Sequence, residues 1–295
     1  MYDHQPSYHQ TPIKEIHSRF LKESEVKLLI KCEYLNHPAI SGNKWWKLKY
    51  NLEEAVRLKQ HTLLTFGGAY SNHIYATAAA AKEVGLKSIG IIRGEEVPPL
   101  NRTLAFAESC GMKLQYISRE NYRLKTKESF IQKLHDQFGD FYLIPEGGTN
   151  ALAIKGVAEF ASTLVSEVDF DYLCLPVGTG GTMSGMVQGL SREKNIFGFS
   201  VLKGGGFLND EVKRWVGDSI DNWSIVEDYH FGGYAKTTNE LLNFMSDFEK
   251  RHQLQLDQVY TAKMMFGIFE LVQKGFFKEG STVLALHTGG LQGRK

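Results

Sequence analysis

A chain of 295 residues can bury one large core or two modest ones, and 42% hydrophobic against 23% charged residues is the balance of an ordinary globular protein. Lys and Arg number 34 against 33 Asp and Glu, a net charge of +1, which excludes the general attraction to nucleic acid or anionic membranes of a basic chain. The N-terminal MYDHQPSYHQTPIKEIHSRF lacks an apolar leader core, no stretch approaches the roughly 18 apolar residues of a membrane span, and Cys32, Cys110 and Cys174 form no CxxC pair. The expectation is a cytoplasmic protein acting on a small molecule, with buried free thiols, no metal site and neither a nucleic-acid nor a membrane partner.

In chain order, the first informative stretch is SGNKWWKL, residues 41 to 48. Apolar Trp45, Leu48, Leu52, Ala55 and Val56 recur at helical steps, and Ser41-Gly42-Asn43 supplies capping types, so a helix starts near Lys44. Lys44 and Lys47 then stand on one face at a positive helix end, where dipole and like charge both oppose them by tenths of a kcal/mol. Solvated lysines tolerate this arrangement; an anion removes the conflict.

Strand-like TLLTFGG leads into an alanine-rich helix over HIYATAAAAKEVG, then strand SIGIIRG, a helix across PLNRTLAFAESCG, strand KLQYIS, a helix around KESFIQKLHDQFG and strand FYLIPEGG. A helix over ALAIKGVAEFASTLVSE follows, then strand YLCLPVG, a glycine-rich turn and another helix. FGFSVLKGGG, helices around TNELLNFMSDFEKRH and AKMMFGIFELVQKG, and strand STVLALHTGG close the chain. The alternation predicts α/β architecture: open twisted parallel sheets covered by helices in two domains, 40–150 as the smaller and 1–39 with 151–295 as the larger. Two glycine-rich strand-to-helix turns suggest a cleft beyond the strands' carboxyl ends.

In YLCLPVGTGGTMSGMVQGL the run Gly178-Thr179-Gly180-Gly181-Thr182 joins a strand to a helix, where backbone N–H groups form a phosphate nest. A nucleotide P-loop needs Gly-Lys-Ser/Thr where Thr182-Met183 stands, and a dinucleotide site needs an acid where Val201-Leu202-Lys203 stands. A structural tight turn stays open as the plain alternative. Phosphate without nucleotide, beside a misplaced lysine, points to pyridoxal 5′-phosphate, with Lys44 as its Schiff-base amine and Lys47, one turn along, meeting the phosphate.

The segments SGNKWWKLKYNL, FGGAYSN, VGTGGTMSGM, QVYTAKMMFG and LHTGG occur in the order seen in the 1-aminocyclopropane-1-carboxylate deaminase and D-cysteine desulfhydrase family, which the chain resembles over nearly its whole length. The resemblance implies the tryptophan synthase β-subunit fold (pyridoxal phosphate fold type II) and a homodimer. It implies that Lys44 carries the cofactor, Asn72 bonds its ring hydroxyl, Ser71 holds the substrate carboxylate or assists the chemistry, and Gly178 to Thr182 hold the phosphate. Tyr234 and Tyr260 match the two active-site tyrosines. Taken singly, Ser71 and Asn72 read as helix caps and either tyrosine as packing.

The chain departs from the deaminase pattern at Thr261, where cyclopropane deaminases carry glutamate. A carboxylate beside the pyridine nitrogen keeps it protonated; a threonine hydroxyl supplies no charge. Thr261, with Thr288 of LHTGG, resembles the desulfhydrase arrangement, while Tyr70 stands where the family often has glutamine. The expected activity is a deaminating lyase on a small amino acid, most simply D-cysteine elimination to pyruvate, sulfide and ammonia. Cyclopropane ring opening to 2-oxobutanoate is the alternative within the family, and a non-catalytic phosphate-ligand binding protein the alternative outside it.

Overall fold

The computed structural model describes residues 5–190 and 192–294. The N-terminal part contains β1 (Ile13–Ile16), α1 (Arg19–Glu23), β2 (Lys27–Lys31) and α2 (Asn43–Arg57). Next come β3 (Thr62–Gly68), α3 (Asn72–Glu83), β4 (Lys87–Arg93), α4 (Arg102–Ser109), β5 (Met112–Ile117), α5 (Arg119–Tyr122), α6 (Glu128–Phe138) and β6 (Tyr142–Ile144). The chain continues through α7 (Ala151–Glu167), β7 (Tyr172–Val177), α8 (Gly181–Gly189), β8 (Asn195–Ser200), α9 (Phe207–Val216) and β9 (Trp223–Val226). It ends with α10 (Asn239–His252), α11 (Thr261–Gln273) and β10 (Thr282–Leu286).

The strands form two sheets, a six-stranded one in the order β1-β2-β10-β7-β8-β9 and a four-stranded one in the order β5-β4-β3-β6. All pairings are parallel except β1 with β2, where Ile13 faces Lys31 and Ile16 faces Leu28. The parallel expectation therefore holds for every strand except β1. That strand is four residues long with a largely solvated IKEI pattern, as suits an edge that pairs by a short antiparallel return. Central strands β10 and β7 are buried almost throughout, the pattern of strands covered on both faces. Beyond the anticipated elements, the structure adds α1, α5, α9, β1, β2 and β9, most of them short or one-sided in pattern.

One apolar cluster runs through both sheets, from Leu63 of β3 and Ile144 of β6 through Trp46 and Phe160 to Leu173 and Leu175 of β7. Trp46 of α2 stacks on Phe160 of α7 with ring centres 5.0 Å apart, so α2 is fastened to the helix that leads into the larger sheet. Its start is fastened as well. Asn36 donates from Nδ2 to the Gly42 carbonyl (3.0 Å) and accepts the Gly42 N–H on Oδ1 (2.9 Å), while buried Glu33 accepts from Trp46 Nε1 (2.7 Å). Gly42 has φ +69°, and a Cβ there would stand 2.0 Å from the Thr288 carbonyl oxygen; only glycine lets α2 begin this close to the end of β10. The carboxyl ends of β3, β6, β7 and β10 thereby lead their loops to one region, the usual ligand side of parallel sheets.

Candidate active site

Four helices of the site differ in how they start. Ser71 caps α3 by accepting from the N–H groups of His73 and Ile74 (3.2 and 3.3 Å), and Asn150 caps α7. No side chain caps α2 or α8, whose N-cap residues are Gly42 and Gly180. The capping expected from Ser41 or Asn43 does not occur, because Asn43 is the first helical residue and its side chain points elsewhere. Its Nδ2 donates to Thr182 Oγ1 on α8 (2.7 Å), and its Oδ1 accepts from Lys44 Nζ (3.1 Å).

Lys44 is half-buried, and burial lowers its amine to about 8, partly countered by the negative charge of Asp257. Lys47 lies deeper, 1% exposed, and burial followed by repulsion from Lys44 holds it well below the usual amine range. Its Nζ donates to Thr149 Oγ1 (3.0 Å), which in turn bonds Thr179 Oγ1 (2.9 Å). A Cβ on Gly181 would stand 2.6 Å from Thr149 Oγ1 and 3.0 Å from Lys47 Nζ, so the uncapped start of α8 opens directly onto the buried amine. His73, buried on α3, is kept neutral by burial and by both lysines, and its Nδ1 has no hydrogen-bond partner. Two amines with no carboxylate bonded to either among the described residues, beside the uncapped start of α8, make a site for an anion with a carbonyl attached.

The remaining expected residues gather around this centre. Tyr260 lies against Gly178, and its ring meets that of Tyr234 edge-on with centroids 6.1 Å apart and their hydroxyls interacting. Desolvation raises both phenols above the usual tyrosine range, Tyr260 more strongly than Tyr234, which is 40% exposed. Asn72 Oδ1 accepts from Gln292 Nε2 (2.7 Å), and Asn72 Nδ2 and Asp257 Oδ2 both pack on Gly290, 3.0 and 2.9 Å from where its Cβ would stand. Thr288 is nearly buried and presents its carbonyl to α2. Thr261 is fully buried, and its hydroxyl accepts the Asp257 N–H (2.8 Å), closing its own turn.

Sequence reasoning passed over Asn43, Thr149, Asp257 and Lys263. Asp257 accepts the N–H groups of Tyr260 (2.7 Å) and Thr261 (3.2 Å) and is raised to about 7 by burial. It stands four residues before Thr261, a spacing that offered the one available signal. Lys263 Nζ donates to the carbonyls of His230 (2.9 Å) and Gly233 (2.7 Å), pinning the loop that carries Tyr234; a lysine inside an apolar helical stripe was its trace in the sequence.

Residues 4–289 match the family described as pyridoxal-phosphate dependent enzyme. The chain is 30% identical over 292 residues to the bifunctional D-cysteine desulfhydrase/1-aminocyclopropane-1-carboxylate deaminase, mitochondrial, of Arabidopsis thaliana, covering 90% of this chain and 73% of that protein. It is 30% identical over 284 residues to the 1-aminocyclopropane-1-carboxylate deaminase of Rhizobium leguminosarum bv. viciae, covering 85% and 82%. A crystal structure described as an ACC deaminase homologue superposes with a TM-score of 0.81 at 28% identity over 98% of this chain and 93% of its own. The fold is therefore that of the tryptophan synthase β-subunit type, and the buried Lys47 amine beside the uncapped start of α8 fits the cofactor of that fold. The chain belongs to the pyridoxal-phosphate dependent enzymes, in the group that holds the 1-aminocyclopropane-1-carboxylate deaminases and D-cysteine desulfhydrases.

Proposed function

We propose that the protein is a deaminating lyase that removes a β-substituent from a small amino acid, with D-cysteine as the model substrate and pyruvate, sulfide and ammonia as products. The observation that supports this reading is the half-buried Lys44 amine, lowered to about 8 and one helical turn from Lys47 at the α8 nest.

Lys44 would hold the cofactor covalently, and its amine, when free, would be the base that takes the α-proton. A base whose pKa lies near working pH combines a useful neutral fraction with adequate basicity. Lys47, Thr182 and the N–H groups of Gly178 to Gly181 would hold the phosphate, and Asn72 would orient the ring. The bound cofactor supplies the electron sink that lets the Cα–H bond ionise. Ser71, whose oxygen accepts two backbone N–H bonds, keeps its hydroxyl proton for the substrate carboxylate. Tyr234 and Tyr260, whose rings meet beside Gly178, would hydrogen-bond the leaving group through their hydroxyls. Loss of the β-substituent leaves an enamine, which water hydrolyses to the 2-oxo acid and ammonia.

Cyclopropane ring opening is the second reading, favoured by the names of the relatives. Thr261 supports elimination instead, since its hydroxyl is turned into its own turn and brings no charge to the ring. Two assays test the proposal. Lys44→Ala should lose both turnover and the visible absorption of the covalently held cofactor; a yellow, active variant removes the assignment. Keto-acid release should be faster from D-cysteine than from 1-aminocyclopropane-1-carboxylate; selective use of the latter overturns the preference for elimination.

A further inference from the structure

Beyond the carboxyl ends of β4 and β5 lies a cavity of about 350 Å³ lined by Arg93, Arg119, Tyr122, Arg123 and Lys125. Four cations on one wall are unusual in a chain whose net charge is +1. Lys125 pairs with Glu146 at 3.3 Å, whereas Arg93, Arg119 and Arg123 have no carboxylate partner among the described residues. Tyr122 organises the group. It is 2% exposed, its hydroxyl donates to Glu146 Oε1 (2.7 Å), and its ring lies 5.5 Å from the Arg93 guanidinium carbon and 4.9 Å from Lys125 Nζ. Arg93 and Lys125 lie against the Tyr122 ring, and Arg93, Arg119 and Arg123 are exposed at the cavity, where their guanidinium groups suit carboxylate or phosphate because they bind both oxygens in parallel.

The cavity adjoins the active site at two points. Arg93 Nη2 lies 3.4 Å from where a Cβ of Gly68 would stand, and the Gly68 carbonyl accepts the Ser71 N–H (3.0 Å). Glu146 begins the segment whose Gly147 packs on Thr179 and whose Gly148 packs on His73 and Lys47. The charges of Arg93 and Glu146 both reach the Tyr234 hydroxyl. Resting on the reading of this cleft as an amino acid lyase, we propose that the Arg93–Arg119–Arg123–Lys125 cavity receives a carboxylate or phosphate carried at the far end of the substrate, which makes the preferred substrate class small amino acids with a distal acid group.

A matched pair, O-phospho-D-serine and D-serine, tests this in the holoenzyme. With the phosphorylated compound the α-proton passes to Lys44, the Cβ–O bond breaks with its electron pair going to phosphate, and one water converts the enamine to pyruvate and ammonia. No oxidant or reductant is needed. Wild-type enzyme should favour O-phospho-D-serine at least tenfold in kcat/KM. In the double variant Arg93→Gln/Arg119→Gln that ratio should fall at least tenfold, through KM, while Arg57→Gln, a remote surface change, leaves it in place. Calorimetric titration of the same two compounds gives a readout independent of turnover. If neither is turned over, the elimination reading fails by itself, and tighter binding of the phosphorylated compound that the double variant abolishes still supports the cavity assignment. Equal affinities, or a preference that the double variant does not alter, overturn it. So does binding of inorganic phosphate at the arginines without any gain for the phosphorylated amino acid, which would assign the cavity to a free anion.

Discussion

At Lys47 burial and then the neighbouring charge of Lys44 both disfavour the charged amine and hold it well below the usual amine range. A phosphate in the α8 nest opposes that shift, so binding takes up protons at pH values between the lowered and the restored pKa and weakens as pH rises through them. Pyridoxine 5′-phosphate, which has the phosphate but no aldehyde, isolates the effect: titrations of the cofactor-free protein in buffers of different ionisation enthalpy should show proton uptake. Lys47→Gln should remove that uptake and weaken binding roughly ten- to a hundredfold, the value of a hydrogen bond to a charged group. Asp257 acts on Lys44 in the opposite sense, its negative charge raising an amine that burial lowers to about 8. Capture of pyridoxal phosphate requires the neutral amine, so its rate should climb as pH rises through about 8 and the midpoint should move to lower pH in Asp257→Asn. A midpoint that stays in place would detach Asp257 from the site. The two lysines were legible in the sequence because their positions contradicted the helix they start; Asp257 was not, because an acid before a helix reads as an ordinary cap, and it does accept two N–H bonds there.

At the scale of elements, the α8 start decides whether a phosphate fits. Gly181→Ala adds a methyl 2.6 Å from Thr149 Oγ1 and 3.0 Å from Lys47 Nζ, both ends of side chains rather than backbone. Overpacking costs about 1–3 kcal/mol, and here movable groups can absorb it by turning away from the nest. Circular dichroism and melting temperature should therefore change little, while cofactor affinity falls tenfold or more. A large loss of stability with normal affinity would mean that the glycine serves packing alone. The strand-to-helix turns were readable since glycine runs after apolar strands have few other uses. The short pieces were not: β1 and β9 have four residues each and no clear period, and what holds them is pairing with the neighbouring strands β2 and β8. The cationic cavity escaped for a related reason, since Arg93 and Arg119 are brought together by the parallel pairing of β4 with β5.

Across the whole molecule, the proposed cofactor site joins parts that the sequence shows only as separate segments. Lys44 and Lys47 come from α2, His73 from α3 beside the four-stranded sheet, Thr179 and Thr182 from the end of β7 and the start of α8, and Asp257 from the turn before α11. The division into 40–150 and the two flanking pieces remains our proposal, and α2 crosses it by stacking Trp46 on Phe160. Because one apolar cluster already runs through both sheets, the cofactor-free protein should unfold in a single transition. A ligand that contacts elements from both sheets adds its binding free energy to that same transition. At a cofactor concentration a hundredfold above Kd the gain is about 2.7 kcal/mol, which in a chain of this size raises Tm by roughly 5 °C. Scanning calorimetry of holoprotein and stripped protein checks both statements: an unchanged Tm would place the cofactor outside the elements that melt, and two resolved transitions in the stripped protein would mean that the shared apolar cluster does not couple the sheets without it.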